Sequence, residues 1–241
     1  SADYNLVWPE VTGSVTFVNY LVPDAGGSTY PWSGTDTYSC TGGVWPVHNV
    51  TKNLYYTTIQ PAIDGADATG NVITAAAGSY PENLTFNKSL TLTGAGLSTT
   101  TITGMHTVTA NGVIVSGFNL SLSGSGTIFT INSTATPISG FSVTACEFNM
   151  PTGTSIGISI GEGSSPMKVS GVTINNNTFN GPAGKNANPW KIGGAFGAPI
   201  GCEIDGITFS GNTVNYASTP INVYDKNLKD IHINGNTFAN T

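Results

Sequence analysis

The sequence predicts an all-β solenoid, in which short strand-and-turn units stack along one axis. A nine-residue pattern of alternating apolar and polar residues recurs at residues 138–146, 169–177, 204–212 and 228–236, usually with Gly third and Asn ninth. The 241 residues include 31 Gly, and only 8% are charged, against about 25% in ordinary soluble domains. Repeats of about 20 to 50 residues mark stacked architectures, in which each unit buries its apolar face only against its neighbours.

The pattern also predicts which side of each strand faces the interior. Val172 and Ile174 point to one side and Thr173 to the other, as strand alternation requires. We expect the equivalent apolar residues of the later copies to stack on them about 4.8 Å apart, rung on rung. These residues are Ile207, Phe209, Ile231 and Ile233. A weaker fifth copy is predicted at residues 115–123.

The ninth position of the pattern predicts a structural ladder at a corner of the coil. Asn tolerates the left-handed turn conformation, and stacked Asn side chains can hydrogen-bond along an axis. The residues at this position are Cys146, Asn177, Asn212 and Asn236. Two residues later an apolar side chain recurs, and we expect it to fill the next corner; these residues are Phe148, Phe179, Val214 and Phe238.

The chain before the repeats differs in character. Residues 1–54 lack the repeat, are rich in Trp and Tyr, and include an alternating run at 14–20 that predicts a strand. A short helix is predicted near residues 58–66, because Ile59 and Ala66 belong to one apolar face and Thr58 is a suitable N-cap. Two long insertions, at 149–168 and 180–203, are expected to project from the rungs.

The aromatic residues allow two interpretations. They pack against another part of the protein or a second subunit, which we favour, or they form a platform on which sugars stack. The candidate residues for either role are Trp8, Trp32, Trp45 and Trp190.

Residues 55–241 resemble a known family. The short helix and residues 71–104 are similar to the opening of right-handed parallel β-helices of the pectin-lyase-like superfamily, and the later units resemble their repeats. The resemblance implies a β-helix of about seven rungs, whose first rung is plugged by the helix. It therefore divides the chain into an aromatic N-terminal β segment at 1–54 and a β-helix at 55–241.

The residues expected of the enzymes in this superfamily are incomplete. Residues 78–82 match the Gly-x-Tyr-x-Glu element of pectin methylesterases, but the Asp motifs and the Arg that the resemblance also requires are missing, since the chain has no Arg. Pectate lyases need an Arg base, and polygalacturonases need an Asp pair and a Gly-His-Gly that do not occur. We therefore expect residues 78–82 to form a structural turn of the first rung, and the protein not to be an enzyme.

No other catalytic or metal-binding constellation stands out. Weak candidates for a calcium site are Glu203, Asp205, Asp225 and Asp230, because Ca²⁺ prefers several oxygen ligands; a solvated outer face is the favoured interpretation. A glycosidase needs two facing carboxyl groups, and among Glu147, Glu162 and Glu203 nothing selects a pair. His48, His106 and His232 are far apart in sequence. No cofactor is predicted.

Charge and targeting signals limit the partners. A net charge of −6 without Arg argues against nucleic acid, and no run of 18 apolar residues predicts a membrane span. The polar, weakly charged composition favours an extracellular or cell-surface protein. Candidate glycosylation sites are Asn49, Asn83, Asn87, Asn119, Asn132 and Asn176. The pairing of Cys40, Cys146 and Cys202 stays open between free buried thiols, one disulfide and a bond between chains.

The ends of the predicted solenoid suggest its function. The helix near 58–66 covers the first rung, whereas nothing in the sequence of the last repeat predicts a cap, and solenoids need one at each end. Either residues 1–54 fold over this end, or another subunit covers it. We therefore expect a non-catalytic structural protein that assembles with itself into a surface layer, sheath or filament. The alternative is a carbohydrate-binding or degenerate polysaccharide-lyase-like module.

Overall fold

The computed structural model describes residues 15–16, 37–38, 45–131, 137–161, 168–183, 187–193, 203–217, 219–223 and 228–239. The chain divides into two compact units, Ser1–Trp45 and Pro46–Thr241. In the first unit, β1 (Val15–Thr16) pairs antiparallel with β2 (Thr37–Tyr38); the remainder of the strand predicted at 14–20 lies outside the described residues. The second unit begins before the predicted boundary at residue 54, because residues 47–56 already contribute two strands to it.

Three sheets build the second unit. Sheet 1 has eleven strands: β3 (Val47–Asn49), β4 (Leu54–Tyr56), β5 (Asn71–Ala75), β8 (Leu90–Gly94), β11 (Ile114–Ser116), β14 (Ile138–Ser139), β15 (Ser142–Thr144), β18 (Lys168–Ser170), β19 (Thr173–Asn175), β22 (Glu203–Ser210) and β25 (Leu228–Asn234). Sheet 2 has seven: β6 (Gly78–Tyr80), β9 (Thr100–Thr103), β12 (Asn119–Ser121), β16 (Glu147–Asn149), β20 (Thr178–Asn180), β23 (Thr213–Asn215) and β26 (Thr237–Ala239). Sheet 3 has six: β7 (Thr85–Phe86), β10 (His106–Val108), β13 (Thr127–Ile131), β17 (Ile156–Ile160), β21 (Asn188–Ile192) and β24 (Ile221–Val223).

The order of the strands makes a coil. The chain visits sheets 1, 2 and 3 in turn and pairs each strand in parallel with its equivalent one turn earlier. From β5 onward this gives six complete rungs and a seventh that consists of β25 and β26. The predicted right-handed parallel β-helix of about seven rungs is therefore confirmed. The described residues contain no helix of the length and hydropathy that a membrane span requires.

A helix and a hairpin close the first rung. The helix α1 (Ile59–Asp64) buries Ile59, Ala62 and Ile63 completely and lies against β3, β4, β5 and β7. Strand β3 pairs antiparallel with both β5 and β4, so the hairpin adds two strands to sheet 1 beyond the first rung. The amphipathic helix predicted at 58–66 is thus six residues long, and it covers the apolar interior at this end.

The interior is a continuous apolar column with an aromatic row at its centre. Phe148 stacks on Phe179 with ring centroids 4.4 Å apart, and Trp190 stacks on Phe209 at 4.3 Å. Phe179 meets Trp190 edge to face at 5.5 Å, which joins the two stacks. Ring geometries of this kind add to the burial of each side chain, so the row holds rungs four to six together.

One residue with a positive φ marks the corner between sheet 1 and sheet 2. The angle is 75° at Gly117, 49° at Ala145, 53° at Asn176, 63° at Gly211 and 61° at Gly235. Only Gly and, less readily, Asn adopt this left-handed conformation at low cost. The corner explains why Gly or Asn precedes the ninth position in three of the four repeat copies; Ala145 is the exception.

The fifth repeat copy was assigned the wrong register. Val115 pairs with Val143, not with Ile138, with which the copy at 115–123 had aligned it. Gly117 therefore occupies the corner position of Ala145, whereas the repeat glycine Gly140 lies at a second bend between β14 and β15. Each rung has two positions, a few residues apart, at which Gly can occur. The copy at 115–123 was therefore aligned with the repeat glycine when its Gly117 belongs to the corner position.

Candidate functional site

The predicted ladder residues form a chain of hydrogen bonds along the axis. The side-chain oxygen of Asn177 accepts from the backbone N–H of Cys146 at 2.9 Å. Asn212 accepts in the same way from Asn177 at 2.9 Å, and Asn236 from Asn212 at 2.9 Å. Each Asn amide also donates to a carbonyl of the preceding rung; for Asn236 this is the carbonyl of Phe209, at 2.9 Å. The ladder links four successive rungs through Cys146, Asn177, Asn212 and Asn236. It ends at Asn236, which lies in the last rung.

Residues 78–82 contribute to the end cap. The Glu82 carboxylate accepts hydrogen bonds from the backbone N–H groups of Ile59 and Gln60, at 2.8 and 2.9 Å. The Tyr80 hydroxyl donates to the carbonyl of Ala76 at 2.9 Å, and burial raises the pKa of Tyr80, helped by the nearby charge of Glu82. Glu82 therefore caps α1 from the first rung. Thr58, the predicted N-cap, makes no side-chain capping bond.

The candidate calcium ligands do not converge. Glu203 pairs with Lys168 at 2.8 Å and with Lys229 at 3.4 Å, and the bond from Lys168, followed by that from Lys229, holds the pKa of Glu203 below its ordinary value. Asp205 lies opposite Lys229 in the register of sheet 1, and Asp230 is exposed. Asp225 lies outside the described residues. Within the described part of the chain, no group of three or more His, Cys, Asp or Glu could hold a metal ion.

The other acidic and histidine candidates are dispersed. Glu147 lies in β16 of sheet 2, where it accepts from Asn180 at 2.8 Å, while Glu203 lies in sheet 1; Glu162 is outside the described residues. His48 stacks on Tyr55 with centroids 4.1 Å apart. The other two histidines lie on different strands: His106 in β10, and His232 in β25.

Trp190 is not a surface residue, and the prediction that it binds a sugar or a partner is wrong. It lies in β21 with none of its surface exposed, packed between Phe179 and Phe209. The insertions at 149–168 and 180–203 do not simply project, because they contain β17 and β21 of sheet 3. Trp45 is 36% exposed. Trp8 and Trp32 lie outside the described residues.

One glycosylation candidate is excluded by burial. Asn49 has no exposed surface, and its amide donates to the side chain of Asn71 at 2.9 Å. Asn83, Asn87 and Asn176 are exposed, and Asn119 is partly buried. Asn132 lies outside the described residues. The four described sites other than Asn49 remain candidates.

The one described cysteine is a buried free thiol. Cys146 has 1% of its surface exposed, and burial raises its pKa to about 12. Its thiol is therefore protonated and unreactive at neutral pH. Cys40 and Cys202 lie outside the described residues, so the alternatives that the sequence allows for them stay open.

Exposed apolar side chains concentrate at the two ends of the coil. The large apolar side chains with most exposure in the last two rungs are Tyr216 (40%), Val223 (47%), Ile233 (44%) and Phe238 (41%). At the opposite end they are Val50 (46%), Leu54 (43%) and Val72 (39%). In the rungs between, only Leu97, Met105 and Ile114 are comparable among the described residues. The ends are therefore the candidate functional site.

The N-terminal end was missed as a candidate. Sequence reasoning treated it as plugged by the helix, yet the hairpin of β3 and β4 leaves Leu54 exposed. The one local signal is Asn53, which has a φ of 53° in the turn between the two strands, since Asn is a residue that tolerates the left-handed conformation. Such a hairpin beside a solenoid adds strands, and its second strand becomes a new edge.

Comparison with known proteins gives two similar structures. No protein-family model and no curated protein matches the chain. A crystal structure of the pectin methylesterase from Aspergillus niger in deglycosylated form is 14% identical over 77% of this chain and 83% of that chain, with a TM-score of 0.29. The same enzyme in penultimately deglycosylated form is 14% identical over 84% of this chain and 88% of that chain, with a TM-score of 0.31.

These structures correct one expectation. Both are structures of an enzyme, which contradicts the prediction, made from the missing Asp motifs and Arg, that the chain is not an enzyme, and we do not retain that prediction. The fold itself rests on the parallel pairing of three sheets over successive rungs. The chain thus has the right-handed parallel β-helix fold that its sequence predicts.

Proposed function

We propose that this chain is a self-assembling β-helix subunit of an extracellular layer, sheath or filament. The observation that carries the proposal is the exposure of the last rung. Ile233 and Phe238 continue the columns of the fully buried Phe209 and Val214, yet they are 44% and 41% exposed. Because the equivalent side chains are buried in every preceding rung, the exposure of Ile233 and Phe238 favours a further layer of protein stacked on the last rung.

The backbone of the last rung supports the same proposal. Strands β24, β25 and β26 each end the strand order of their sheet in the described structure. Free sheet edges recruit other chains unless they are blunted. Charged residues are the usual means of blunting, and those of β25 are Lys229 and Asp230, both before its apolar half. The later half, with Ile231 and Ile233, is open to pairing.

The composition supports an extracellular setting. Only 8% of the residues are charged, and the exposed sequons at Asn83, Asn87 and Asn176 lie in turns or at strand ends, where a glycan could be attached without entering the core.

Sedimentation velocity across a dilution series, together with electron microscopy, tests the proposal. We expect the purified chain to form end-to-end chains that grow with concentration, and Phe238→Asp to abolish them, because a carboxylate would be buried without a partner. Ile114→Asp is the matched control, since Ile114 is 39% exposed but lies in the middle of sheet 1. A wild-type chain that stays monomeric throughout, or chains that Phe238→Asp leaves intact, would contradict the proposal.

A further inference from the structure

We infer that the copies join head to tail through sheet 1, with β25 of one copy paired in parallel with β4 of the next and Ile233 beside Leu54. The inference rests on the proposed self-assembly and specifies its interface. The partner is therefore a second copy of this chain, and the two surfaces are the opposite edges of one sheet.

The direction of the strands is the first argument. Strand β3 runs antiparallel to β5, and β4 runs antiparallel to β3. The two reversals cancel, so β4 runs in the same direction as β5 and as every later strand of sheet 1, including β25. A copy translated along the axis thus presents β4 to β25 in the parallel orientation that all rungs of this sheet use.

The register is the second argument. Leu54 and Ile233 are the two ends of a single column of paired residues in sheet 1. In order from one end, the column is Leu54, Asn49, Ile73, Leu92, Val115, Val143, Ile174, Phe209 and Ile233. Every member between the ends is buried, whereas Leu54 is 43% and Ile233 is 44% exposed. Stacking a second copy would complete the column at both open positions.

The height of the N-terminal end is the third argument. The hairpin extends sheet 1 by two strand spacings beyond β5, which is about 9 to 10 Å. The helix α1 beside it has a diameter of about 10 Å, and it lies against β3, β4 and β5. The hairpin edge and the outer surface of α1 are therefore about level. A flat end of this kind can accept the last rung, with β4 as the strand that pairs.

The two ends favour binding between copies of this chain over binding to a partner of another sequence. A heterologous contact between different surfaces of identical subunits propagates into a filament when the rotation does not close. Each copy offers one edge of each kind in the same sheet, so every copy can bind two others. A partner of another sequence would occupy one edge and stop growth.

Cysteine crosslinking tests the inference. Cα atoms of paired strands lie about 5 Å apart, within the range that a disulfide bridges. We expect Leu54→Cys and Ile233→Cys, each alone, to give no crosslink between chains beyond the wild-type background, and their mixture to give a dimer linked between positions 54 and 233. The double variant should form a ladder of covalent oligomers under oxidation.

Controls separate the possible failures. Leu54→Cys mixed with Ile114→Cys should not crosslink, because Ile114 is equally exposed but lies in mid-sheet. If a substitution at Leu54 or Ile233 prevents assembly, Tyr55→Cys mixed with Asn234→Cys tests the adjacent pair of the same register. Filaments that form without either crosslink would overturn this interface and leave self-assembly intact. A wild-type chain that never assembles would overturn both.

Discussion

His106 is a buried ionisable residue in the largely apolar interior of the coil. It lies in β10 with 1% of its surface exposed, and its ring centroid is 5.1 Å from that of Phe129. Its Nδ1 accepts a hydrogen bond from the backbone N–H of Leu84 at 3.2 Å, which leaves Nε2 as the protonated nitrogen, without a hydrogen-bonding partner in the described structure. Burial lowers the pKa of His106 to about 3, because the imidazolium would lose its hydration.

This burial predicts a loss of stability in mild acid. The unfolded chain binds a proton at His106 below a pH of about 6.5 and the folded chain does not, so the free energy of unfolding falls by up to about 1.4 kcal/mol per pH unit until pH approaches 3. We expect denaturant titrations of the wild type to lose about 2 kcal/mol more than His106→Gln between pH 7 and pH 5. An unchanged pH dependence in His106→Gln would contradict the assignment.

The six-residue helix α1 is stabilised from outside its own sequence. Glu82 accepts from its first N–H groups, and the Lys88 ammonium donates to the carbonyls of Asp64 and Ala66 at its other end. An acid at the N-terminus and a base at the C-terminus both oppose the helix dipole. Since isolated helices of this length are unstable, the first rung holds the cap of the bore in place.

The capping contact predicts a stability difference between two substitutions. Glu82→Ala should lower the free energy of unfolding by about 1 to 2 kcal/mol, because two N–H groups lose their acceptor. Thr58→Ala should change it little, since Thr58 makes no capping bond. Thermal and denaturant unfolding of both variants, measured with the wild type, checks the difference. Equal effects of the two substitutions would show that the helix is capped locally.

Sheets 1 and 2 could be predicted from the sequence because their strands carry a signature. The alternation around Ile174 and the corner before Asn177 are both local requirements, so they recur in each copy. Sheet 3 has no comparable signature. Asn188–Ile192 contains a Pro and precedes a Gly-rich stretch, which is typical of a loop, although Trp190 fills the interior of the coil. Burial of Trp190 is decided by the neighbouring rungs, which no local pattern encodes.

Of the two ends that form the candidate site, the sequence predicted the last rung but not the edge at Leu54. The strands of the last rung follow from the repeat itself, since its copies continue through Phe238. The edge at Leu54 depends on the hairpin folding back onto β5, a contact between residues 22 or more positions apart such as that of Asn49 with Asn71. Long-range pairing of this kind sets which edge is free, and the nine-residue pattern contains no information about it.

The whole β-helix unit behaves as a linear stack in which each rung is stabilised by two neighbours. The first rung has the hairpin and α1 on its outer side, and the middle rungs have the aromatic row and the asparagine ladder. The seventh rung has one neighbour in the described structure, and its inward residues Ile233 and Phe238 are partly exposed. Stability in such stacks is close to a sum of rung and interface terms, so the last rung should open most readily.

Hydrogen exchange at two protein concentrations would detect both the open rung and its closure. In dilute solution we expect the amides of β25 and β26 to exchange faster than those of β12 and β16, because local opening needs the loss of one interface only. At high concentration, β25 and β4 should gain protection together while β12 and β16 stay unchanged, since only the ends acquire a new pairing strand. Phe238→Asp should show the dilute pattern at both concentrations. A gain spread evenly over all rungs, or one confined to β25 without β4, would contradict head-to-tail pairing through sheet 1.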